Sequence, residues 1–445
     1  MTVFKLKRGL NIPIQGKPAQ EISPARPVSS LALLGRDYPG LKPTLAVREG
    51  EEVKGGQLLF TDKKNPGVNF TAPGGGVIAA INRGPKRLFE SIVIQLNGKE
   101  EARSFTVPQT TDDDSAIRAL MLDSGLWTAF RSRPYGRVPS PGSKPHSIFV
   151  TAIDTLPLAP DPALIINQQQ ENFKRGLKLL QPLAPAIHLC LRTAAADYLT
   201  SLTNIKVHEF HGPHPAGLPS THIHFIDPVG KDKTIWHIGY QDVIALGHLG
   251  RNGRLQNERI IAIAGPAARQ PRLIRTRLGA NIAELSQNEF SHTARVVSGS
   301  LLNGYAAMGK EAYLGRYHLQ VCALRDDAGR GLLNWLRPGV NRYSCRGLFL
   351  SGFLPRREFA MSTAAWGGRR AIFPLGTYEQ VMPLDIIPTA LLKALANEDT
   401  EKAQELGCLE LIEEDLALCS FVCPGKNNFG PMLRRVLNRI YVSAP

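Results

Sequence analysis

Short apolar runs cut by glycine, proline and aspartate fill the stretch from Pro27 to Gly98, and they constrain the fold more than any other feature. VSSLALLG, TLAVREG, GQLLFT, GVIAAI and SIVIQL are strand-length and end at turn residues. Helices this short are marginal in water, whereas short strands joined by turns become stable once several of them pair. Glycine supplies the positive φ such turns need. The stretch is read as small all-β structure.

Beyond it the pattern changes. RPYGRVPSPGSKPH, Arg133 to His146, is proline-rich and reads as a connector. SIFVTAID (Ser147–Asp154) reads as a strand, INQQQENFKRGLKLL as a helix, and AIHLCLRT and IKVHEF as further strands. Strand–helix–strand order implies a βαβ layer around a parallel sheet. From Glu258, RIIAIAGPAARQPRLIRTRLGANIAEL gives strand, turn, strand and short helix, the order of a β-grasp unit. From Ile386 the chain is helical: TEKAQELG stops at Gly407, and Met432, Leu433, Val436, Leu437 and Ile440 share one face of PMLRRVLNRIYV. The expected division is 1–100 for an N-terminal segment and the β module, 101–256 for a Rossmann-like α/β domain, 257–330 for the β-grasp domain and 331–445 for a mainly helical one.

A chain of 445 residues, 43% hydrophobic and 20% charged, buries enough surface to fold without disulfides or metals. Lys plus Arg exceed Asp plus Glu by 53 to 38, a net +15 that favours an anionic partner. The dense basic clusters are short: Lys5, Lys7 and Arg8, then Arg434, Arg435 and Arg439. No zinc-finger, RRM or basic-zipper pattern accompanies them, which argues against nucleic acid and for a membrane face or an acidic partner. The six cysteines are spread thinly, which suits a reducing compartment. MTVFKLKRGLNIPIQG lacks the apolar core of a signal peptide. No run approaches the ~18 apolar residues of a spanning helix. A cytoplasmic, peripheral chain is expected.

Four motifs bear on chemistry. Gly50–Gly84, with GEEV, GQLL, Ala72-Pro73 and Gly76-Val77-Ile78, resembles the barrel-sandwich hybrid module of biotinyl and lipoyl domains. A carrier would present a modified lysine at a tight hairpin tip. Here the tip is Asp62-Lys63-Lys64-Asn65-Pro66-Gly67, longer and without the usual neighbours, so an assembly module is the better reading than a lipoylated or biotinylated Lys63.

Asp123-Ser124-Gly125-Leu126 resembles the start of the FMN loop in the NADH-oxidising flavoprotein of complex I and in RnfC. There glycines follow, letting backbone N–H groups approach a phosphate. Here Trp127, Thr128, Ala129, Phe130 and Arg131 take their place, which argues against FMN and NADH. A flat quinone with two carbonyl acceptors suits aromatic walls and a few donors. Trp127, Phe130, Arg131, Arg133 and Tyr135 are the candidate quinone contacts, against the alternative that the aromatics are core.

Cys419-Ser420-Phe421-Val422-Cys423-Pro424 is the closing half of a [4Fe–4S] pattern whose opening half is missing, and it reads as a vestigial turn. His211, His214, His222 and His224 could approach one another, His222 and His224 from one side of a strand, but no cysteine or carboxylate completes a ligand set among them. No metal site and no catalytic residue is assigned.

Several longer stretches are similar to the NqrA component of the Na+-translocating NADH:quinone reductases, the Nqr complexes: DKKNPGV, DSGLWTA, PALIINQQQ, GPHPAGL, AYLGRYH and GCLELIEEDLALCSFVCPGK. The resemblance covers nearly the whole chain. It implies a peripheral component on the cytoplasmic face of a bacterial inner membrane, partnered by five others in a sodium pump. FMN, FAD, riboflavin and iron–sulfur centres lie in those other subunits, and ubiquinone is the terminal acceptor. It further implies no cofactor in this chain and a contribution to quinone binding and assembly; the alternative is a docking scaffold without a quinone site.

Overall fold

In the computed structural model, residues 2–443 are described except 25, 194–203, 231, 292, 327–337, 356 and 366. Two small antiparallel sheets form the barrel-sandwich hybrid module. One runs in the order Ser30–Leu34, Phe89–Leu96, Gly76–Arg83, Glu52–Val53, and the other in the order Pro43–Leu45, Leu58–Asp62, Asn69–Thr71. Phe60 and Phe70 stack between them with centroids 4.6 Å apart.

The α/β unit is a sheet ordered Thr2–Lys5, Ile205–His211, Ile187–Leu191, Ile148–Ala152, Ile235–Gly239, Arg131–Arg133. All neighbours are parallel except the last pair. The expected helix over INQQQENFKRGLKLL is two, Pro162–Gln168 and Gln170–Leu180, broken at Gln169 where φ/ψ is −134/39°. Helix Gln170–Leu180 lies unusually close to helix Tyr240–Asn252. A Cβ on Gly247 would sit 1.7 Å from the Asn172 carbonyl oxygen, and one on Gly176 2.0 Å from that of Val243. Gly247 therefore serves helix packing.

The third sheet, ordered Tyr305–Ala306, Ala294–Ser298, Gln320–Arg325, Glu258–Ala264, Arg272–Arg277, Ala19–Pro24, has the parallel central pair of a β-grasp. Helices Thr377–Val381, Pro388–Ala396, Thr400–Glu405, Ala417–Val422 and Phe429–Ser443 enclose a core of their own around Tyr378, Leu391 and Leu437. Gly407 stops the run at φ 88°, and Leu433, Val436, Leu437 and Ile440 are buried, with Met432 partly so.

Two expectations need correction. The N-terminal segment does not stay with the barrel-sandwich module: Thr2–Lys5 extends the parallel sheet and Ala19–Pro24 the β-grasp sheet. His222 and His224 lie on a helix, Pro219–Ile226, not on a strand. Pro219 at the first helical position, where its missing N–H costs nothing, is the local cause.

Candidate functional site

The helix Asp114–Asp123 is capped by Asp113, whose carboxylate accepts from Ala116 N. It ends at Ser124, and Gly125 turns the chain with φ 77°. A Cβ on Gly125 would lie 2.5 Å from Thr71 Oγ1, so the turn is pressed against the barrel-sandwich module. The 3-10 turn Leu126–Ala129 follows, wholly buried. Trp127 and Phe130 have no exposure. Their rings lie 5.4 Å apart, and Trp236 packs 5.3 Å from each. Trp127 Nε1 donates to the Pro139 carbonyl at 2.9 Å. The aromatic-for-glycine replacement is thus a filled volume: the first two candidate contacts, Trp127 and Phe130, are buried in the core.

The edge strand Arg131–Arg133 points its two arginines differently. Arg131 is half-buried, with its guanidinium 4.6 Å from the centre of the Tyr317 ring and 3.5 Å from Glu414. Arg133 has no exposure. It donates from Nε to Ser220 Oγ at 3.0 Å and from Nη1 to His237 Nε2 at 3.0 Å, with Glu414 at 3.7 Å. Burial lowers the Arg133 pKa to about 10, which leaves it charged at neutrality, and burial also holds His237 well below its usual range, so its ring accepts. Ser220 donates its own proton to Asp415 Oδ2 at 2.7 Å, which also accepts from Ile412 N. Burial pushes the Asp415 carboxyl up to about 7.

Tyr135, at φ 78°, is half-buried against Tyr441, 5.1 Å away. Its carbonyl accepts from Arg434, which forms a two-pronged pair with Glu413 at 2.6 Å. Residues 131–135 therefore join the α/β unit to the terminal helices. Glu413, Glu414 and Asp415, which satisfy these arginines, are not evident from sequence spacing; the acidic run IEED is the only available signal.

A narrow cleft of about 30 Å³ opens beside the turn, between Tyr38, Phe70, Ser124–Leu126, Thr128, Arg259 and Arg316. Tyr38 meets Phe70 edge-on at 4.8 Å, and Tyr317 donates to the Thr128 carbonyl at 2.8 Å. Asp242 holds both Arg259 and Arg316. A wider cleft of about 260 Å³ lies at the carboxyl edge of the parallel sheet, near Asp154, Arg192 and Lys17, and its lining includes no aromatic residue.

The other motifs resolve as packing. Asn65 ties the Asp62–Gly67 tip to the connector through the Val138 and Pro139 carbonyls, so Lys63 does not sit on a free arm. Cys419 and Cys423 are buried. Tyr378 donates to Cys423 Sγ at 3.1 Å, and burial pushes the Cys419 thiol up to about 12. The four histidines take separate partners: Glu209 for His211, Thr155 for His214, the Ala216 carbonyl for His222 and Glu410 for His224. No helix among the described residues is long and apolar enough to cross a membrane.

Three family models match in succession: the NqrA N-terminal barrel-sandwich hybrid domain over residues 4–97, the NqrA second alpha/beta domain over 112–255 and the NQRA C-terminal domain over 260–309. The corresponding component of the Na(+)-translocating NADH-quinone reductase of Pseudomonas aeruginosa is 52% identical over 98% of this chain and 99% of its own. The chain belongs to the NqrA family. The NqrA proteins of Neisseria gonorrhoeae and Haemophilus influenzae are each 50% identical over 98% of this chain and 99% of theirs. An NAD+-reducing [NiFe]-hydrogenase chain is similar over 48% of this chain and 47% of its own at 13% identity, but its TM-score of 0.36 is too low to carry an argument. Membership makes the chain part of an oxidoreductase that translocates sodium.

Proposed function

We propose that this NqrA chain lies peripherally on the cytoplasmic face of the membrane complex and helps hold ubiquinone, while the flavins and iron–sulfur centres reside in its partner subunits. The observation that carries the reading is a cluster of aromatic rings and guanidinium groups at the narrow cleft: Tyr38, Phe70 and Arg316 line it, and Tyr317, in contact with Tyr38 and Arg316, links it to Arg131. A quinone ring offers flat apolar faces to the former and carbonyl acceptors to the latter. Trp127 and Phe130 act as the packed floor under this cleft. Arg131 is the donor with access, and Arg133 and Tyr135 set the neighbouring helices against it. The filled turn also supports the absence of a flavin, since an isoalloxazine would need the volume that Trp127, Phe130 and Trp236 occupy.

The test is the assembled complex with Arg131→Ala. Loss of a hydrogen bond from a charged donor should raise the KM for a short-chain ubiquinone by roughly ten- to a hundredfold, with NADH oxidation by an artificial acceptor unchanged. An unaltered KM would favour a docking scaffold without a quinone site. A stoichiometric flavin or iron content in the purified chain would defeat the cofactor-free part of the reading.

A further inference from the structure

Residues 338–375 lie between the β-grasp sheet and the terminal helices and take no part in the aromatic cluster. From Val340 to Gly376 the sequence holds six arginines against one carboxylate, Glu358. Its described part carries large apolar side chains in the open: Phe353 is 83% exposed and Leu348 76%, with Leu350, Leu354, Phe373 and Leu375 also exposed. The short turn Leu350–Phe353 buries none of its residues. Isolated exposed leucines are ordinary, but a cluster of this kind marks an interaction surface.

The two halves of the stretch form one face. Arg346 Nη2 donates to the Leu375 carbonyl at 2.8 Å, joining the 342–354 part to the 367–375 part. Arg370 N donates to the Gly425 carbonyl, and Asn427 returns a bond to the Arg370 carbonyl, which anchors the face on the terminal helical unit. Arg346, Arg369 and Arg370 are exposed, and Lys426 lies against Gly367.

We infer that this face rests on the anionic headgroup layer of a lipid bilayer, with Phe353 and Leu348 entering the interface and Arg346, Arg369 and Arg370 meeting the phosphates. Charge complementarity selects the occupant: the cations have one neighbouring carboxylate in sequence, and a headgroup layer supplies negative charge above apolar depth. The backbone selects it too. Among the described residues the stretch contains no α-helix and no strand of a sheet, so it offers neither the groove nor the edge by which proteins usually take up a helix or strand. The inference deepens the peripheral reading above and is independent of the quinone site.

The full chain is floated with neutral phosphatidylcholine vesicles and with vesicles about one third phosphatidylglycerol. Binding is expected to the anionic set alone and to fall with salt. Each arginine near such a surface contributes about fivefold, so Arg346→Glu/Arg369→Glu/Arg370→Glu should weaken binding by about a hundredfold or more. Leu348→Asp/Phe353→Asp should also abolish flotation and should unfold at the wild-type temperature because it touches only exposed side chains. Arg369→Glu/Arg370→Glu, which leaves the Arg346–Leu375 bond in place, should weaken binding by about twenty-five-fold or more. A control, Lys5→Glu/Lys7→Glu/Arg8→Glu, should change binding by less than about fivefold. No preference for anionic vesicles, or an equal fall in the control, overturns the inference. The same proteins are mixed with membranes carrying the remaining subunits. Retention there without vesicle binding overturns the lipid contact in favour of a protein partner and keeps the peripheral placement, whereas loss in both overturns both.

Discussion

Residues 124–137 and residues 338–375 are made of the same materials, arginine and large apolar side chains among glycine and proline, yet they lie in opposite surroundings. The first stretch buries Trp127, Phe130 and Arg133 completely, and the second leaves Phe353 and Arg346 in the open. The difference lies in what the rest of the chain brings to each. Trp236 closes the aromatic cluster, and Ser220, His237 and Glu414 surround the Arg133 guanidinium. A buried cation is tolerable only when paired and hydrogen-bonded. Arg346, Arg369 and Arg370 of the second stretch have no such enclosure among the described residues, and they stay where solvent or an anionic surface can meet them.

The comparison breaks first at Trp127. Trp127→Ala should leave a cavity beside Phe130 and Trp236 and cost about 3–5 kcal/mol, read as a lowered denaturation midpoint with unchanged slope. A midpoint like the wild type would mean the turn is not packed as described. Arg133→Ala is expected to cost about 3–5 kcal/mol by a different route, because Asp415 and Glu414 lose their buried counter-charge.

The Asp415 carboxyl sharpens the contrast through pH. Its folded value is raised by burial from 3.8 to about 7, so the native state binds a proton that the unfolded chain has already released. Stability is then fully present below the unfolded value and is lost as pH rises toward the folded one. From pH 5 to pH 8 this contribution should fall by about 2–3 kcal/mol. Buried histidines such as His237, held below their usual range, act in the opposite sense, so the Asp415 contribution is read as the difference in stability between wild type and Asp415→Asn across that window. A wild-type minus Asp415→Asn difference that does not fall from pH 5 to pH 8 would refute the assignment.

How much is legible in the sequence follows from the range of each interaction. The strands Ile148–Ala152 and Ile187–Leu191, the stop at Gly407 and the apolar face of the last helix are local patterns, and the structure bears them out. The sheet partners of Thr2–Lys5 and Ala19–Pro24 are not legible, since those pairings join segments more than two hundred residues apart. At His222 the i, i+2 pattern points to a strand, while Pro219 was the truer signal for a helix start. In the site, the residue types of 127–135 stand out in the sequence. Their burial does not, because it depends on Trp236 and on Glu414 and Asp415, which no spacing rule connects to them. The aromatic cluster is hidden for the same reason: Tyr38 and Phe70 of the barrel-sandwich module meet Tyr317 of the β-grasp unit there.

The smallest expected effect is also the cleanest separation of the two stretches. Phe353→Ala removes a ring that is 83% exposed and belongs to a turn with no buried residue. Folding gains almost nothing from such a ring, since the same surface is wet in the unfolded chain, so the change in stability should stay within about 0.5 kcal/mol. Set beside Trp127→Ala, it isolates burial from composition: both substitutions delete an aromatic side chain near arginines, and only one deletes packed contacts. Matched urea titrations of the two variants measure that difference directly. A loss at Phe353 comparable to that at Trp127 would mean that residues 338–375 fold onto the body of the chain in solution, and the lipid face inferred for them would lose its apolar half.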